Sequence, residues 1–488
     1  MKSAQYVFVN LLLATIFICC CSFSDTTNIK RRAPNVVVII TDQWRGQALG
    51  FANKEPVKTP NLDAFAKQSF VMGQMVGNYP VCSPSRAMLF TGQYPMKNHV
   101  YSNVNSSTAP DNIQLKTEAI CWSDVLKAHG YYNGYIGKWH LDSPHDPYVP
   151  TSNNVGKIAW NEWTPPDRRH GFDYWYAYGT YDEHLKPMYW SANAPRDSFH
   201  YVNEWEPEHD VDKALAFLEN KHDERDGEKP FSLVVSINPP HSTYTQIPEK
   251  YYDLYKEVPL ASLVKDPDIP PAGTTWGDFY RKNIKAYYAA ITGVDDQIGR
   301  LLKGLEKLKL SDNTIVIFIA DHGNCLGKHE EESKNNIYEE SLRIPFMIRW
   351  PGHITPRYDA AFLGSMPDVY PSLLTLMGLE KEIPSSVEGK SYASYWVNGK
   401  GKTPEAQYIL GAINSHNPNS GFRGIRNAGY KFAYVKKKGV ETVHLYDLKK
   451  DPFELNNIVA QQPEVTQRMK HFLVEWLQKT NDPFTLNQ

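Results

Sequence analysis

Four short apolar runs in the chain are each followed by polar residues and then by a helical pattern. A strand that is covered on both faces reads as a continuous apolar run, so these runs are predicted to be buried parallel strands. They occupy residues 35–40, 232–237, 314–320 and 344–350. Strands that alternate with helices in this way predict an α/β fold.

Helical periodicity is clearest in two segments. One begins at Val211 and the other spans residues 283–308. Apolar residues recur on one face of each segment, and few helix breakers interrupt them. Both helices are therefore expected to cover the sheet.

The pattern of apolar and polar residues changes after about residue 385. Shorter β-like pieces, such as residues 421–435, are followed by one terminal helix at residues 463–479. This pattern predicts a smaller α+β subdomain, an antiparallel sheet plus the terminal helix, at residues 386–488. The larger domain, which would carry the chemistry, is expected at residues 33–385.

The first residues carry the pattern of an export signal. Lys2 precedes an apolar run from Val7 to Ile18, and small polar residues follow. The run is shorter than the roughly 20 residues that span a bilayer, so a transmembrane anchor is the less favoured alternative. Because the run ends in three cysteines at 19–21, it also resembles a bacterial lipoprotein signal. We expect residues 1–21 to be a signal peptide of plain or lipoprotein type, and the protein to be exported in a bacterium, either periplasmic or held at the outer membrane by a lipid anchor.

Composition excludes some classes of protein. The 488 residues carry a formal net charge of −2, which excludes an overall basic nucleic-acid binder. Any anionic substrate must therefore be met by a local cluster of Lys, Arg and His. Beyond the signal the cysteines are Cys82, Cys121 and Cys325, too few for a disulfide framework. Cys121 is expected to pack in a helix.

Polar side chains gather directly after the predicted strands. Ligands of open parallel sheets bind beyond the carboxyl ends of the strands, so these positions are candidate site residues. They are Asp42, Gln43, Lys138, His140, His241, Asp321 and His322. A single Asp after a strand is usually a turn former, but two acidic strand ends with a paired Lys and His indicate a site.

These residues fall into two sets. The candidate metal ligands are Asp42, Gln43, Asp321 and His322. Their hard oxygen donors suit calcium, magnesium or manganese better than zinc. The candidate anion-binding residues are Arg86, Lys138, His140, His241 and Lys334. Together the two sets predict a site for a sulfate or phosphate ester.

Cys82 stands at the start of a predicted helix. Pro84 suits the first turn of that helix, and Gly92 lies near its end. The partial positive charge of a helix N-terminus favours an anionic nucleophile. The alternative is a buried structural cysteine, which is the commoner role of a single cysteine.

The residues around Cys82 favour the reactive role by resemblance. CSPSR followed by AMLFTGQYP resembles the signature C-x-P-S-R of the type I sulfatases, formylglycine-dependent enzymes of the alkaline phosphatase superfamily. The resemblance continues over DQ, GKWHL, PPH, DHG, the segment from ESKNN to RWPG, MPDVYPSLLTLMG and LYDLKKDPFELNNI. It covers most of the chain and is strongest for bacterial polysaccharide sulfatases. It implies an alkaline-phosphatase-like fold, with a mixed, mostly parallel sheet between helices.

The resemblance also implies a mechanism. Cys82 would be oxidised to Cα-formylglycine by a formylglycine-generating or sulfatase-maturing enzyme. The hydrated aldehyde would attack sulfur in line with the departing alcohol, with calcium acidifying the attacking hydroxyl. By similarity, residue 82 joins the four candidate metal ligands, and Arg86 holds the oxygens derived from the aldehyde.

Four further roles follow from the same resemblance. Lys138 and Lys334 would neutralise charge that grows on the sulfuryl and leaving oxygens. His241 would protonate the leaving alcohol, since a sugar hydroxyl is otherwise a poor leaving group. His140 would deprotonate the second hydroxyl, so that the aldehyde reforms and sulfate is expelled.

The chain departs from the family pattern at two metal ligands. Many sulfatases have a second Asp in place of Gln43, and the nitrogen of His322 suits manganese or zinc better than calcium. Calcium is the expected ion, with manganese or magnesium as alternatives. The pairs DQ and DH are also similar to those of phosphonate monoester hydrolases and choline sulfatases. Most relatives have a glutamate after DHG where this chain has Asn324 and Cys325, and Cys325 is given no catalytic role.

Two other segments indicate the substrate class. Aromatic residues crowd positions 160–190, where they suit either a satellite core or stacking on sugar rings. The candidate sugar contacts are Trp175 in that stretch and His416, Asn417 and Arg423 in the loop at residues 415–426.

The expected function is that of an exported sulfatase acting on oligosaccharides from sulfated polysaccharides. Ulvan-like or carrageenan-like algal glycans are favoured over glycosaminoglycans. The alternatives are a phosphonate monoester or phosphodiester hydrolase of the same superfamily and a non-catalytic lipoprotein that captures glycans.

Overall fold

A ten-stranded mixed sheet lies at the centre of the computed structural model, which describes residues 33–486. The signal-peptide prediction for residues 1–21 falls outside the described residues. The strands of residues 33–486 are β1 Asn35–Thr41, β2 Phe70–Met72, β3 Met75–Val76, β4 Tyr132–Lys138, β5 Tyr174–Tyr178, β6 Met188–Ser191, β7 His200–Tyr201, β8 Phe231–Ile237, β9 Thr314–Ala320, β10 Arg343–Ile344, β11 Phe346–Arg349, β12 Arg357–Asp359, β13 Ala406–Gly411, β14 Gly421–Asn427, β15 Tyr430–Lys437 and β16 Val440–Asp447. The large sheet has the order β12-β2-β11-β9-β1-β8-β4-β5-β6-β7.

Five neighbouring strands of this sheet, β9, β1, β8, β4 and β5, are parallel. Three of the four apolar runs are therefore parallel strands, as predicted. The fourth run contains β11, which pairs antiparallel with β9, so the expectation of a parallel strand there is wrong. The chain between β9 and β11 holds no long crossover helix, which a parallel connection needs.

Helices cover both faces of the sheet. The helices of residues 33–486 are α1 Pro60–Ala66, α2 Cys82–Thr91, α3 Pro95–Asn98, α4 Trp122–Ala128, α5 Glu206–Glu219, α6 Glu249–Lys256, α7 Leu260–Leu263, α8 Thr275–Lys307, α9 Glu339–Leu342, α10 Val369–Leu376, α11 Ala393–Asn398 and α12 Pro463–Lys479. Successive residues of β4 show the two layers, since neighbours along a strand point to opposite faces. A Cβ atom at Gly134 would lie 2.9 Å from Phe217 of α5, whereas the Tyr135 ring centroid lies 6.1 Å from that of Phe90 in α2. The predicted helices at Val211 and at residues 283–308 correspond to α5 and α8.

The C-terminal strands form a separate antiparallel sheet of order β13-β14-β15-β16. Helix α12 packs on this sheet, and the Trp476 ring of α12 stacks on Tyr408 of β13 at a centroid distance of 5.8 Å. The predicted α/β class, with a mostly parallel sheet and a C-terminal antiparallel sheet plus helix, is confirmed. The domain boundary near residue 385 stays a prediction. Within residues 33–486, no helix has both the length and the apolar character required to cross a membrane.

The register of the central strands sets the position of the site. Thr41 of β1 lies beside Ile237 of β8 and beside Ala320 of β9. The next residue on each strand is polar, and these three residues are Asp42, Asn238 and Asp321. The carboxyl ends of three parallel strands therefore place polar groups next to one another.

Candidate active site

Helix α2 brings Cys82 to this edge of the sheet. Val81 has extended φ and ψ, the helix begins at Cys82, and Gly92 ends it with a φ of 65°. A Cβ atom at Gly92 would lie 2.9 Å from Val387, so both the backbone conformation and the space favour glycine there. All ten residues of α2 are buried, and Cys82 is 1% exposed. The predicted position of Cys82 at a helix N-terminus agrees with the structure.

Arg86, one turn along α2, joins the two acidic strand ends. Its Nε lies 3.0 Å from Asp321 Oδ2, and its Nη2 lies 3.3 Å from Asp42 Oδ2. Its Nη1 donates to Lys138 O at 2.8 Å and to Ser236 Oγ at 2.7 Å. A guanidinium has five N–H groups, and four of them are used in these bonds. Arg86 thus positions both carboxylates.

The four groups Asp42, Cys82, Asp321 and His322 place one donor atom each within 4.8 Å of one another. Burial alone would raise the pKa of Asp42, but the nearby cations, Lys138 first, hold it well below the ordinary value. Burial and then the Asp42 carboxylate raise the pKa of Asp321 to about 6. A cation among these donors would offset the repulsion between the two carboxylates.

Lys334 places an ammonium group among these donors. Its Nζ is 3.1 Å from Cys82 Sγ, 3.2 Å from Gln43 Oε1, 3.2 Å from His322 Nε2 and 4.0 Å from Asp42 Oδ1. An ammonium group is thus surrounded by the predicted metal donors. Oxygen donors from two carboxylates and an amide, with one imidazole nitrogen, fit a divalent cation.

A second lysine also lies near the thiol. Lys138 Nζ donates to Asp42 Oδ2 at 2.7 Å and to Asn238 Oδ1 at 3.0 Å, and it lies 4.0 Å from Cys82 Sγ. Burial and Asp42 act to raise the pKa of Cys82, but the surrounding cations, Lys138 first, hold it well below its ordinary value. Residue 82 therefore lies in an electropositive environment that stabilises an anion bound there.

Tyr244 fixes the orientation of the Gln43 amide. Its hydroxyl oxygen accepts one hydrogen bond from Gln43 Nε2 and one from Asn324 Nδ2, both at 3.0 Å. With the Gln43 nitrogen held by Tyr244, the amide oxygen faces Lys334 and the metal donors. Asn324, which stands near the position of a family glutamate, thereby supports a metal ligand indirectly.

Replacing Tyr244 with phenylalanine is expected to weaken divalent metal binding about 10- to 100-fold, the usual cost of losing a partner that orients a ligand. Without the hydroxyl, the Gln43 amide can turn its NH₂ group towards the metal. Titration calorimetry on chelator-treated protein measures the affinity. Tyr252→Phe, which changes a tyrosine that is 39% exposed, is the matched control. Equal affinity in Tyr244→Phe and wild type would contradict the assigned role.

His140 is held as a neutral base beside Cys82. Its Nε2 lies 3.0 Å from the Val104 carbonyl oxygen, so Nε2 carries the proton and donates it. Its Nδ1 is buried and has no hydrogen-bond partner among residues 33–486. Burial lowers the pKa of His140 even though the nearby Cys82 opposes that shift. The free lone pair on Nδ1 suits the acceptance of a proton.

The surroundings of His241 favour its protonated form more than those of His140 do. The Nδ1 of His241 donates to the Ser242 carbonyl oxygen at 2.7 Å and lies 3.2 Å from Asp182 Oδ1, which leaves Nε2 as its free nitrogen. Burial and the two lysines act to lower the pKa of His241, but Asp182 and Asp42 outweigh them and raise it. Asp182 also accepts from Asn238 Nδ2 at 3.3 Å. A protonated His241 suits the donation of a proton to a leaving group.

Three residues of the site were missed by sequence reasoning. Asn238 follows β8 directly, so its place at a strand end was a signal that could have identified it. Asp182 and Tyr244 lie in irregular segments, and no local pattern marks them. Their proximity to His241 and Gln43 appears only in the folded chain.

Two of the four candidate sugar contacts are wrong in this structure. Trp175 is 2% exposed and stacks on Tyr135 at a centroid distance of 5.0 Å, so it belongs to the core. Arg423 is fully buried, and its Nε lies 2.6 Å from Asp482 Oδ2. Neither side chain has a surface for a sugar. In the same aromatic stretch, Trp160 is half-buried, and its ring centroid lies 6.4 Å from that of His140.

The remaining candidates have other environments. The side chain of His416 is 75% exposed and its Nδ1 lies 3.2 Å from Asp111 Oδ1, so its role in sugar binding stays a prediction, as does that of Asn417. Cys121 caps the N-terminus of α4 and is buried. Cys325 is also buried, with its Sγ 3.4 Å from Ser341 Oγ. Cys121 and Cys325 are thus accounted for by packing.

Comparisons with known proteins all find sulfatases. The family model described as sulfatase matches residues 34–379, and the model described as N-sulphoglucosamine sulphohydrolase, C-terminal, matches residues 327–481. An endo-4-O-sulfatase of Bacteroides thetaiotaomicron is 38% identical, with 92% of this chain and 93% of the relative covered. An ulvan-active sulfatase of Formosa agariphila is 34% identical, with 88% and 78% covered. A crystal structure from Bacteroides fragilis, described as a candidate sulfatase, has a TM-score of 0.89 and 49% identity over 93% of this chain and 97% of that one.

Proposed function

The chain belongs to the sulfatase family and is a sulfuric ester hydrolase, and we propose that its substrates are sulfated carbohydrates. The observation that carries this proposal is the convergence on residue 82 of metal donors, two lysines, a base and an acid. Each group lies within or beside one buried site at the carboxyl ends of the parallel strands. The assignment of roles to individual residues is part of the proposal.

Formylglycine at position 82 is proposed as the modified nucleophile, and a divalent ion as its activator. The ion would be held by Asp42, Gln43, Asp321 and His322. When present, the ion lowers the pKa of a coordinated hydroxyl and so makes a nucleophile at neutral pH. Calcium is the proposed ion, with manganese or magnesium as alternatives. The conversion requires a formylglycine-generating or sulfatase-maturing enzyme as a partner.

The chain's own residues would bind the ester and move protons. Lys138 and Lys334 both lie near residue 82, where their ammonium groups can neutralise the sulfuryl oxygens. His241 donates a proton from Nε2 to the leaving sugar oxygen, and His140 accepts a proton at Nδ1. Burial of the site strengthens each of these charged contacts.

The carbohydrate class is supported by the relatives. One is named for endo-4-O-sulfatase activity and another for activity on ulvan, and the chain covers most of each. Oligosaccharides from sulfated polysaccharides are therefore the proposed substrates. The preference for algal glycans over glycosaminoglycans remains a prediction, as do export, periplasmic location and a lipid anchor, which rest on the pattern of residues 1–21.

Sulfate release from a panel of defined oligosaccharides tests the function. The panel contains ulvan, carrageenan and chondroitin sulfate fragments, with an aryl phosphodiester as the rival substrate. We expect sulfate release from at least one fragment, its loss after chelation and its recovery on adding a divalent ion. A dominant phosphodiesterase rate would favour the phosphonate or phosphodiester hydrolase. Binding without sulfate release by fully converted protein would favour the glycan-capture alternative.

A further inference from the structure

A cavity of about 450 Å³ lies between the segment that carries Lys334 and the C-terminal sheet. We call it the lysine pocket and define it by its lining residues. These are Glu331, Asn335, Asn336, Ile337, Tyr338, Ala412, Asn414, Ser420, Gly421, Phe422, Val435, Lys436, Lys437, Lys438 and His444. Three consecutive lysines and one carboxylate are its charged groups of fixed sign, so the wall carries a net positive charge.

The three lysines differ in how they are used. Lys436 Nζ donates to Asn419 Oδ1 at 2.9 Å and lies 4.4 Å from the centre of the Phe484 ring, so it is engaged in local structure. Lys437 and Lys438 are exposed, and within residues 33–486 their ammonium groups make no hydrogen bond or ion pair. Lys437 is the last residue of β15 and Lys438 lies in the turn before β16, so both side chains stand at the exposed end of this hairpin.

The pocket begins directly beside the proposed active site. Lys334 contacts Cys82, and the next residue, Asn335, is part of the pocket wall. Consecutive Cα atoms are only about 3.8 Å apart. Asn335 also connects the two walls, since its Oδ1 accepts from Ala412 N at 2.7 Å while its own N–H donates to Pro80 O at 3.1 Å. The wall of the pocket therefore begins one residue from a side chain that contacts residue 82.

The loop that sequence analysis singled out for sugar binding takes part in this wall. Its buried Arg423 does not face a ligand, but Ser420 of the loop and Asn414, directly before the loop, line the pocket. Side-chain amides beside free ammonium groups are donors, and donors recognise the oxygens of carboxylate and sulfate groups.

We propose that the lysine pocket binds a second anionic group of the substrate, one that lies on a sugar next to the ester being cleaved. This inference rests on the proposed function, because a fragment of a sulfated polysaccharide carries several anionic groups along its length. The group is a sulfate ester or a uronate carboxylate, which share the same charge and oxygen acceptors. Lys437 and Lys438 attract it, and the pocket thereby selects polyanionic chains over simple monosulfates.

The double variant Lys437→Ala/Lys438→Ala tests the pocket. On sulfated tetrasaccharides from ulvan and chondroitin sulfate, we expect KM to rise about 5- to 20-fold and kcat to stay within about two-fold, with a smaller difference at high salt. Turnover of nitrophenyl sulfate, which has a single anionic group, is expected to be unchanged. Carboxyl-reduced tetrasaccharides separate the two sources, since the effect of the variant persists there only when the bound group is a sulfate.

Lys449→Ala/Lys450→Ala is the matched control, because it removes two consecutive exposed lysines, in the turn directly after β16, that do not line the pocket. An equal KM change in both double variants, or none in either, would overturn the proposal. Calorimetric binding of the same tetrasaccharides to Cys82→Ala protein, with and without the two pocket lysines, needs no turnover. If the wild type releases no sulfate, the proposed function fails, and this binding comparison still decides for or against the pocket.

Discussion

Replacing Cys82 with alanine is expected to abolish sulfate release, with a fall in kcat/KM of about 10⁴-fold or more. Alanine can neither be oxidised to formylglycine nor supply an oxygen nucleophile. The metal donors and both lysines would remain in place, but they would have no attacking group to activate. Sulfate release from the best substrate of the panel measures the effect, and peptide mass spectrometry of the wild type shows whether residue 82 is an aldehyde.

Cys325→Ser is the matched control, because Cys325 is also fully buried and its sulfur contacts a hydroxyl that serine can contact as well. Its activity is expected to stay within about two-fold of the wild type. Active protein with an unmodified thiol at position 82 would refute the proposed nucleophile. Full activity in Cys82→Ala would do the same.

Replacing His241 with alanine is expected to lower kcat on a sugar sulfate by about 10²- to 10⁴-fold. A sugar alkoxide leaves poorly unless it is protonated, and the free Nε2 of His241 is the proposed proton source. Nitrophenyl sulfate releases a stabilised anion that needs no proton, so its turnover is expected to fall less than about ten-fold. The ratio between the two substrates is the measurement.

The pH dependence of kcat in the variant Asp182→Asn gives a second test of the acid role of His241. Asp182 is one of the groups that raise the pKa of His241, so its loss lowers that pKa. A general acid is active below its pKa and loses its proton as pH rises. The alkaline limb of kcat for the sugar sulfate should therefore move to lower pH in Asp182→Asn, with no matching shift for nitrophenyl sulfate. An equal loss on both substrates in His241→Ala, or an unmoved limb in Asp182→Asn, would contradict the acid role.

The strands that are buried on both faces of the sheet could be predicted from the local sequence pattern. The apolar runs 35–40, 232–237 and 314–320 are parallel strands, because strands covered on both faces leave a continuous apolar record in the sequence. The run 344–350 was also identified as a strand, but its direction was not. The direction of a strand depends on how the chain connects it to its neighbour, and the apolar character of the run carries no information on that connection.

The sequence by itself identified the residues at the centre of the candidate site. Asp42, Asp321 and Lys138 could be found because the carboxyl ends of parallel strands meet at one edge, and Cys82 because its signature and its helix start are local features. The structure places these groups together as expected.

Only the tertiary structure decided the burial, tautomer and orientation of those side chains and the residues that hold them in place. The Gln43 amide is oriented by Tyr244, 201 positions away in the chain, and Trp175 and Arg423 are buried by segments distant in sequence. Burial, tautomer and amide orientation depend on contacts between remote segments, and such contacts leave no periodic signal along the chain. For the same reason the lysine pocket, which joins the segment after Lys334 to the turn after β15, exists only in the folded protein.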